Sequence, residues 1–170
     1  MIYEIEEKVQ INNADEIRAK LRSEFLENGT EVKYDTYFKN DQNKMVRMRE
    51  SAKGLYVTLK EYGGDVPITK EVEFGINNKE DFRQFMEAIG FSECFKKVKK
   101  VELFTAKGLK YELVNIEGLG DFLEIEALKT SQDEAHLAIE LVREAFSKLG
   151  FSKDKLITKN YHDLMQLDKR

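Results

Sequence analysis

The sequence predicts an α+β fold, with strands that carry one apolar and one charged face and amphipathic helices between them. Three observations support it. In the opening segment Glu4, Glu6, Lys8 and Gln10 stand at every second position, while Tyr3, Ile5, Val9 and Ile11 fill the alternate ones, with Glu7 as the single exception. A period of two places these two sets on opposite faces of a strand. The acidic pair then returns twice, in Glu71-Val72-Glu73 and Glu124-Ile125-Glu126, each time shortly before a helical pattern. Cationic strands lie between the acidic ones: Met45-Val46-Arg47-Met48-Arg49 alternates apolar residues with arginine, and Leu55 to Lys60 separates Leu55, Val57 and Leu59 from Tyr56, Thr58 and Lys60.

Each helix has its own signals. After Asn12-Asn13, Ile17, Leu21 and Phe25 recur at i, i+4 and i+8, which predicts a helix from Ala14 to about Glu27. After Asn77-Asn78, an apolar stripe of Phe82, Phe85, Met86 and Ile89 predicts a second. Ser131 with Glu134 forms a capping box for the third, whose apolar side is Ala138, Val142, Ala145 and Leu149. Ile89-Gly90-Phe91 and Leu149-Gly150-Phe151 end the last two, where glycine suits the left-handed C-terminal position. The tripeptide Ile-Asn-Asn recurs at Ile11 and Ile76, so the chain reads as a weak internal duplication of a strand–helix–strand unit without a solenoid period. Lys96, Lys97, Lys99 and Lys100 precede a further strand, Val101 to Phe104. Tyr62-Gly63-Gly64-Asp65-Val66-Pro67 reads as a loop, and Glu117-Gly118-Leu119-Gly120-Asp121 as a turn.

Composition narrows the function classes. At 170 residues the chain fits one domain over 1–170, with no segment resembling a linker. No apolar run approaches the roughly 18 residues of a membrane span, and charge from Glu4 onward speaks against a signal peptide. A lone cysteine, Cys94, excludes an intramolecular disulfide, fits a reducing cytoplasm, and is expected to be half-buried and structural. His136 and His162 lack the cysteine partners of a zinc site and are expected at the surface or in helix packing. No phosphate loop or nucleophile elbow is present. A net charge of −4 without an aromatic stacking motif argues against nucleic acid as a partner.

What remains is the set of charged strand faces. Six glutamates from three strands meet Lys8 on the first of those strands and Arg47, Arg49 and Lys60 from two others if all share one sheet. Spacing admits two arrangements, an open sheet with a solvated charged face or a sheet curled with its charge inside as a polar tunnel. Carboxylates and cations in one cavity complement a metal-bound polyphosphate. Carboxylate oxygens are hard ligands for Mg²⁺ or Mn²⁺, arginine supplies a fork for phosphate, and lysine supplies a point charge.

These residues resemble the CYTH domain family, the fold of class IV adenylyl cyclases and thiamine triphosphatases. The resemblance rests on Glu4-x-Glu6-x-Lys8, Asp35-Thr36-Tyr37-Phe38, Arg47-x-Arg49, Lys60, Glu71-x-Glu73, the run from Gly118 through Glu126, and Lys159-x-Tyr161, in order over nearly the whole chain. It implies an eight-stranded antiparallel barrel, the triphosphate tunnel, with helices packed outside. It implies catalytic roles for Glu4, Glu6 and Lys8, and triphosphate contacts for Arg47, Arg49, Lys60, Lys99, Lys100, Glu71, Glu73, Lys159 and Tyr161. Mg or Mn would be held by Glu4, Glu6, Glu124 and Glu126, with Asn115 standing where the family commonly has an aspartate. A second departure is Val101, where the family tends to arginine. The implied partner is a nucleoside triphosphate or an inorganic or organic triphosphate, and a homodimer is allowed for. Three functions follow: a class IV adenylyl cyclase-like enzyme first, then an inorganic or thiamine triphosphatase, then a non-catalytic polyphosphate- or nucleotide-binding module. The absence of tryptophan weighs against thiamine.

Overall fold

The computed structural model describes residues 2–62, 66–157 and 159–167. Gly63, Gly64 and Asp65 of the expected loop lie outside the described residues. Eight strands are present: β1 (Ile2–Ile11), β2 (Leu26–Lys39), β3 (Met45–Ser51), β4 (Gly54–Tyr62), β5 (Ile68–Ile76), β6 (Ser92–Ala106), β7 (Leu109–Ile116) and β8 (Gly120–Lys129). They close into one antiparallel barrel in the order β1-β5-β4-β3-β2-β6-β7-β8. Closure leaves no exposed sheet edge. Strands adjacent in sequence pair as hairpins, except where a helix carries the chain across. Helix α1 (Ala14–Glu24) joins β1 to β2, and α2 (Lys79–Ala88) joins β5 to β6. Helix α3 (Gln132–Lys148) follows β8, and a 3₁₀ turn at Lys153–Lys155 leads to α4 (Tyr161–Leu167).

The charged faces point inward, so the apolar core lies between the barrel wall and its helices. Ile5 and Val9 of β1 and Leu123, Ile125 and Ala127 of β8 pack with Ala135, Ala138, Ile139, Val142 and Phe146 of α3, and Leu21 of α1 joins the same cluster. On the other side, Phe82 and Met86 of α2 pack with Phe38, Met48 and Val57, and Phe38 meets Phe82 edge to face at 5.6 Å. A third cluster, Val101, Val114, Ile116 and Phe122 around Tyr161, anchors α4. No helix among the described residues is long and apolar enough to cross a membrane.

Local signals act as expected at several points. Asn78 caps α2 by accepting from the Glu80 and Asp81 N–H groups, and Ser131 caps α3 by accepting from Glu134. Gly90 and Gly150 adopt φ of 83° and 94°, the left-handed region that a β-carbon disfavours. Other features differ. Helix α1 ends at Glu24, short of Glu27, because Phe25 turns extended and stacks on Tyr111 at 4.4 Å. Phe85 of α2 and Ile89 at its C-terminal cap are exposed, since only the line through Phe82 and Met86 meets the wall. The 96–100 lysines lie inside β6, not before it, because that strand starts at Ser92. Cys94 is exposed, with its thiol 3.4 Å from the Tyr37 carbonyl, because its side chain falls on the outer side of a strand end. His136 sits exposed on α3 with Nδ1 2.8 Å from the Gln132 carbonyl.

Glu7, the exception in the first strand, also finds its reason here. Its carboxylate lies on the apolar outer side of β1 at 2% exposure and receives Arg143 of α3 at 3.1 Å. The pair fixes the register of α3 against the barrel. Removing one partner strands a buried charge, whereas replacing both with apolar groups does not. Arg143→Ala is therefore expected to cost about 2 kcal/mol in urea unfolding, and the double variant Glu7→Leu/Arg143→Met about none. Equal losses in the two would show that the cost does not come from stranding the Glu7 charge.

Candidate active site

Inward-facing side chains line a cavity of about 1000 Å³. Period-two geometry puts Glu4, Glu6 and Lys8 of β1, Arg47 and Arg49 of β3, Lys60 of β4, Glu71 and Glu73 of β5, and Glu124 and Glu126 of β8 into one lumen. Tyr161 and His162 of α4 enter it from one end. Among the described residues eight cations and seven carboxylates line it, so the interior is close to neutral overall.

Opposite charges are paired throughout. Lys60 bridges Glu4 at 2.6 Å and Glu71 at 2.5 Å, and Lys8 pairs with Glu6 at 2.9 Å. Lys99 bridges Glu112 at 2.6 Å and Glu124 at 2.5 Å. Lys110 bridges Glu112 at 2.8 Å and Glu126 at 2.9 Å, and Lys33 reaches Glu112 at 2.9 Å. The Tyr161 hydroxyl donates to Glu124, and its ring lies 5.2 Å from the Lys8 ammonium and 4.8 Å from that of Lys97. Arg47 is held more lightly. Its Nη2 donates to Thr58 at 2.8 Å and lies 3.3 Å from Glu73, and its buried Nε has no hydrogen-bond partner. Glu71 Oε1, though 2.5 Å from the Lys60 ammonium, is likewise outside hydrogen-bond geometry.

Among the described residues one group of carboxylates can hold a metal ion. Glu4, Glu6 and Glu126 bring one carboxylate oxygen each within 4.8 Å of the others. Glu6 and Glu126 are direct cross-strand partners, and Glu4 lies one inward position away on β1. Three hard oxygen donors suit Mg²⁺ or Mn²⁺. The electrostatics fit as well. Burial, reinforced by the neighbouring Glu4 charge, pushes the Glu126 carboxyl up to about 7. Burial and Glu4 do the same to Glu71, also up to about 7. A divalent cation would relieve this repulsion. Burial also acts to raise Glu6, but Lys8, Lys99 and Lys60 outweigh it and hold that carboxyl far below its ordinary range.

The structure separates some residues that the sequence groups together. Glu124 turns to Lys99 and Tyr161 and is not among the three clustered carboxylates. Lys100 is exposed on the outer face of β6, because neighbours on a strand face opposite ways and Lys99 faces in. Asn115 is likewise on the outer face of β7, donating to Asp121 at 2.7 Å. The lumen carboxylate on that strand is Glu112. Lys159 is exposed and outside the lumen, which Asn160, Tyr161 and His162 reach instead. Val101 lies in the apolar cluster around Tyr161, so no charge is missing from its surroundings. Lys33, Lys97, Lys110 and Glu112 also line the lumen, and buried Asp35 pairs with Arg49 and Lys97, although no motif singles these residues out. Lys33-Tyr34-Asp35 and Lys110-Tyr111-Glu112 carry the alternation that would have found them.

Comparison with known proteins agrees with this geometry. The model of the CYTH domain family matches residues 3–161. A Methanocaldococcus jannaschii protein named "putative adenylate cyclase" is 28% identical, covering 96% of this chain and 99% of its own. A solved Pyrococcus horikoshii structure is 28% identical with a TM-score of 0.83, over 98% of this chain and 99% of the other. A Hippeastrum protein described as having a dominant triphosphatase activity shares the fold at a TM-score of 0.62 and 15% identity, over 99% and 96% of the two chains.

The raised carboxyls have a consequence for stability. Between the ordinary carboxyl value of 4.5 and about 7, folded Glu71 and Glu126 keep protons that the unfolded chain has lost. Their contribution is thus complete below 4.5 and is lost as pH rises through about 7. The metal-free protein is expected to show a Tm that falls from pH 5 to pH 7.5, with Mg²⁺ or Mn²⁺ restoring more at pH 7.5 than at pH 5. Calorimetry in chelator and then in metal reads both. A metal-free Tm that rises across this window would contradict the assignment.

Proposed function

The chain belongs to the CYTH domain family, and on that premise we propose that it is a divalent-metal-dependent enzyme of the class IV adenylyl cyclase kind, converting ATP to cyclic AMP and pyrophosphate. The observation that carries the proposal is one enclosed lumen in which Arg47, with its buried and unpartnered Nε, and a set of lysines face a cluster of three carboxylates. A triphosphate carries about four negative charges at neutral pH, and a near-neutral lumen accepts it only with compensating cations. Arg47 and Lys60 would take phosphate oxygens, with Lys8 and Lys99 completing the cationic wall and Tyr161 fixing the end of the chain. Glu4, Glu6 and Glu126 would hold Mg²⁺ or Mn²⁺, which when bound neutralises phosphate charge and acidifies the reacting hydroxyl.

Cyclisation forms the bond from the ribose 3′-oxygen to the α-phosphorus as the bond to the pyrophosphate oxygen breaks, and the 3′-hydroxyl proton is released to water. The lysines facing the β- and γ-phosphates stabilise the charge that grows on the leaving pyrophosphate. Arg47 and Lys60 hold the phosphate chain in line, which is where positioning contributes most in phosphoryl transfer. A second reading is hydrolysis of the terminal phosphate of an inorganic or organic triphosphate. It draws on the Hippeastrum protein, whose described activity is a triphosphatase on this same fold.

Product analysis with ATP, tripolyphosphate and thiamine triphosphate under Mg²⁺ or Mn²⁺ tests the proposal. Cyclic AMP and pyrophosphate are expected from ATP, and chelator is expected to abolish turnover. Arg47→Ala should lower kcat/KM by about 100-fold, or about 2.7 kcal/mol of transition-state stabilisation. Asn115→Asp should leave kcat and metal dependence unchanged, because that side chain is outside the lumen. ADP and phosphate as products would move the assignment to hydrolysis, and ligand-induced stabilisation without turnover would leave a binding module.

A further inference from the structure

Lys100 and Asn115, which the sequence brings forward and the lumen does not use, meet on the outside of the barrel. There they line a groove of about 400 Å³, a size that suits a small molecule. Its polar edge is a single rung: Val32, Lys100, Asn115 and Asp121 are successive cross-strand partners on β2, β6, β7 and β8. Cross-strand partners share a face, so all four look outward. The Asn115 amide nitrogen donates to Asp121 at 2.7 Å, which leaves its carbonyl oxygen able to accept. Among the described residues the Lys100 ammonium has no hydrogen bond or ion pair, and Asp121 is in no ion pair. The remaining charges on the groove are already matched, since Arg18 holds Glu102 at 2.8 Å and Glu31 holds Lys53 at 3.2 Å. The groove therefore offers one open cation and one open anion. Their main chains stand two strand spacings apart, about 10 Å, and the lysine stem covers part of that distance. Between α1 and β2 the lining is apolar, with Ala14, Leu113 and Val32, the last 38% exposed.

We propose that this groove is a second binding site, outside the lumen, for an apolar α-amino acid in its zwitterionic form. The ligand carboxylate lies on Lys100, its ammonium on Asp121 and the Asn115 carbonyl, and its side chain over Ala14, Val32 and Leu113. Charge complementarity selects this class. A simple anion would satisfy Lys100 and meet Asp121 with like charge, and a simple cation would do the reverse. An α-amino acid carries both charges on one carbon, so it satisfies both residues and adds no net charge. Its apolar side chain then has a surface to cover, which a polar or charged one would desolvate at a cost. The site is independent of what the lumen binds.

Calorimetric titration of the full chain with L-leucine tests this, with N-acetyl-leucine and leucinamide as probes that each lack one charge. L-Leucine is expected to bind saturably at one site per chain. Both derivatives are expected to bind at least about tenfold more weakly, the scale of one charge-assisted hydrogen bond. Lys100→Gln and Asp121→Asn are each expected to cause a loss of the same size, with Tm recorded to show that each variant is folded. Lys100 is exposed and unpaired, so Lys100→Gln decides the matter if Asp121→Asn does not fold. Saturating tripolyphosphate is expected to leave leucine affinity within about threefold. No saturable heat up to about 10 mM leucine, or an affinity unchanged in Lys100→Gln, overturns the proposal. Equal binding of N-acetyl-leucine overturns the amino-acid class and leaves a carboxylate site, and displacement of leucine by tripolyphosphate would place it in the lumen instead. Dimerisation in sedimentation that Lys100→Gln abolishes, without leucine binding, would assign the groove to a second copy of the chain and overturn the proposal as well.

Discussion

Charge balance inside a closed wall is the constraint on which the rest of this structure depends. A barrel whose inner face carries this many ionisable groups cannot leave them unpaired, because an isolated ion out of water costs several kcal/mol after relaxation. The strand register solves the problem by placing acids opposite bases. Glu124 lies across from Lys8, Asp35 between Arg49 and Lys97, and Lys60 across from Glu71. Such pairs add little net stability, since the Coulomb gain mostly repays desolvation. Stability therefore has to come from elsewhere, and the apolar layer between the wall and α1, α2 and α3 supplies it. The fold is inverted relative to a small barrel with an apolar interior.

The pairing also gives the lumen its chemistry. Lys60 is held by Glu4 and Glu71, and Lys110 by Glu112 and Glu126. A polyphosphate arriving with a divalent ion can exchange both halves at once, its oxygens taking the cations and the ion taking the released carboxylates. Neither partner alone could do so without stranding charge of the other sign. On the proposed function the site would suit a metal–triphosphate complex more than either component, and the raised Glu71 and Glu126 carboxyls mark where negative charge is in excess.

Much of this was legible in the chain. Alternation over Tyr3–Ile11 and Met45–Arg49 fixed which faces were charged, and the caps at Asn78 and Ser131 located two helices. Spacing could not choose between an open sheet and a closed one, because closure depends on the pairing of β1 with β8, more than a hundred residues apart. The resemblance supplied that choice. Where motif matching replaced parity, it erred: Lys100 and Asn115 stand one residue from an inward position, and on a strand one residue reverses the face. Glu7 could not be explained from sequence, since its partner Arg143 comes from a helix whose docking no local signal encodes. Nor could the different partners of Arg47 and Arg49, which depend on the residues that β2 and β4 set opposite each, Asp35 for Arg49 and Thr58 for Arg47.

The central claim, that the internal ion pairs are exchanged for a metal–triphosphate complex, is tested most directly by a crystal structure with Mg²⁺ and a non-reactive ATP analogue. The account predicts phosphate oxygens on Arg47 Nε and on Lys60, with Lys60 drawn away from Glu4 and Glu71, and the ion on Glu4, Glu6 and Glu126. An analogue bound elsewhere, with the Lys60 bridge to Glu4 and Glu71 intact, would contradict it.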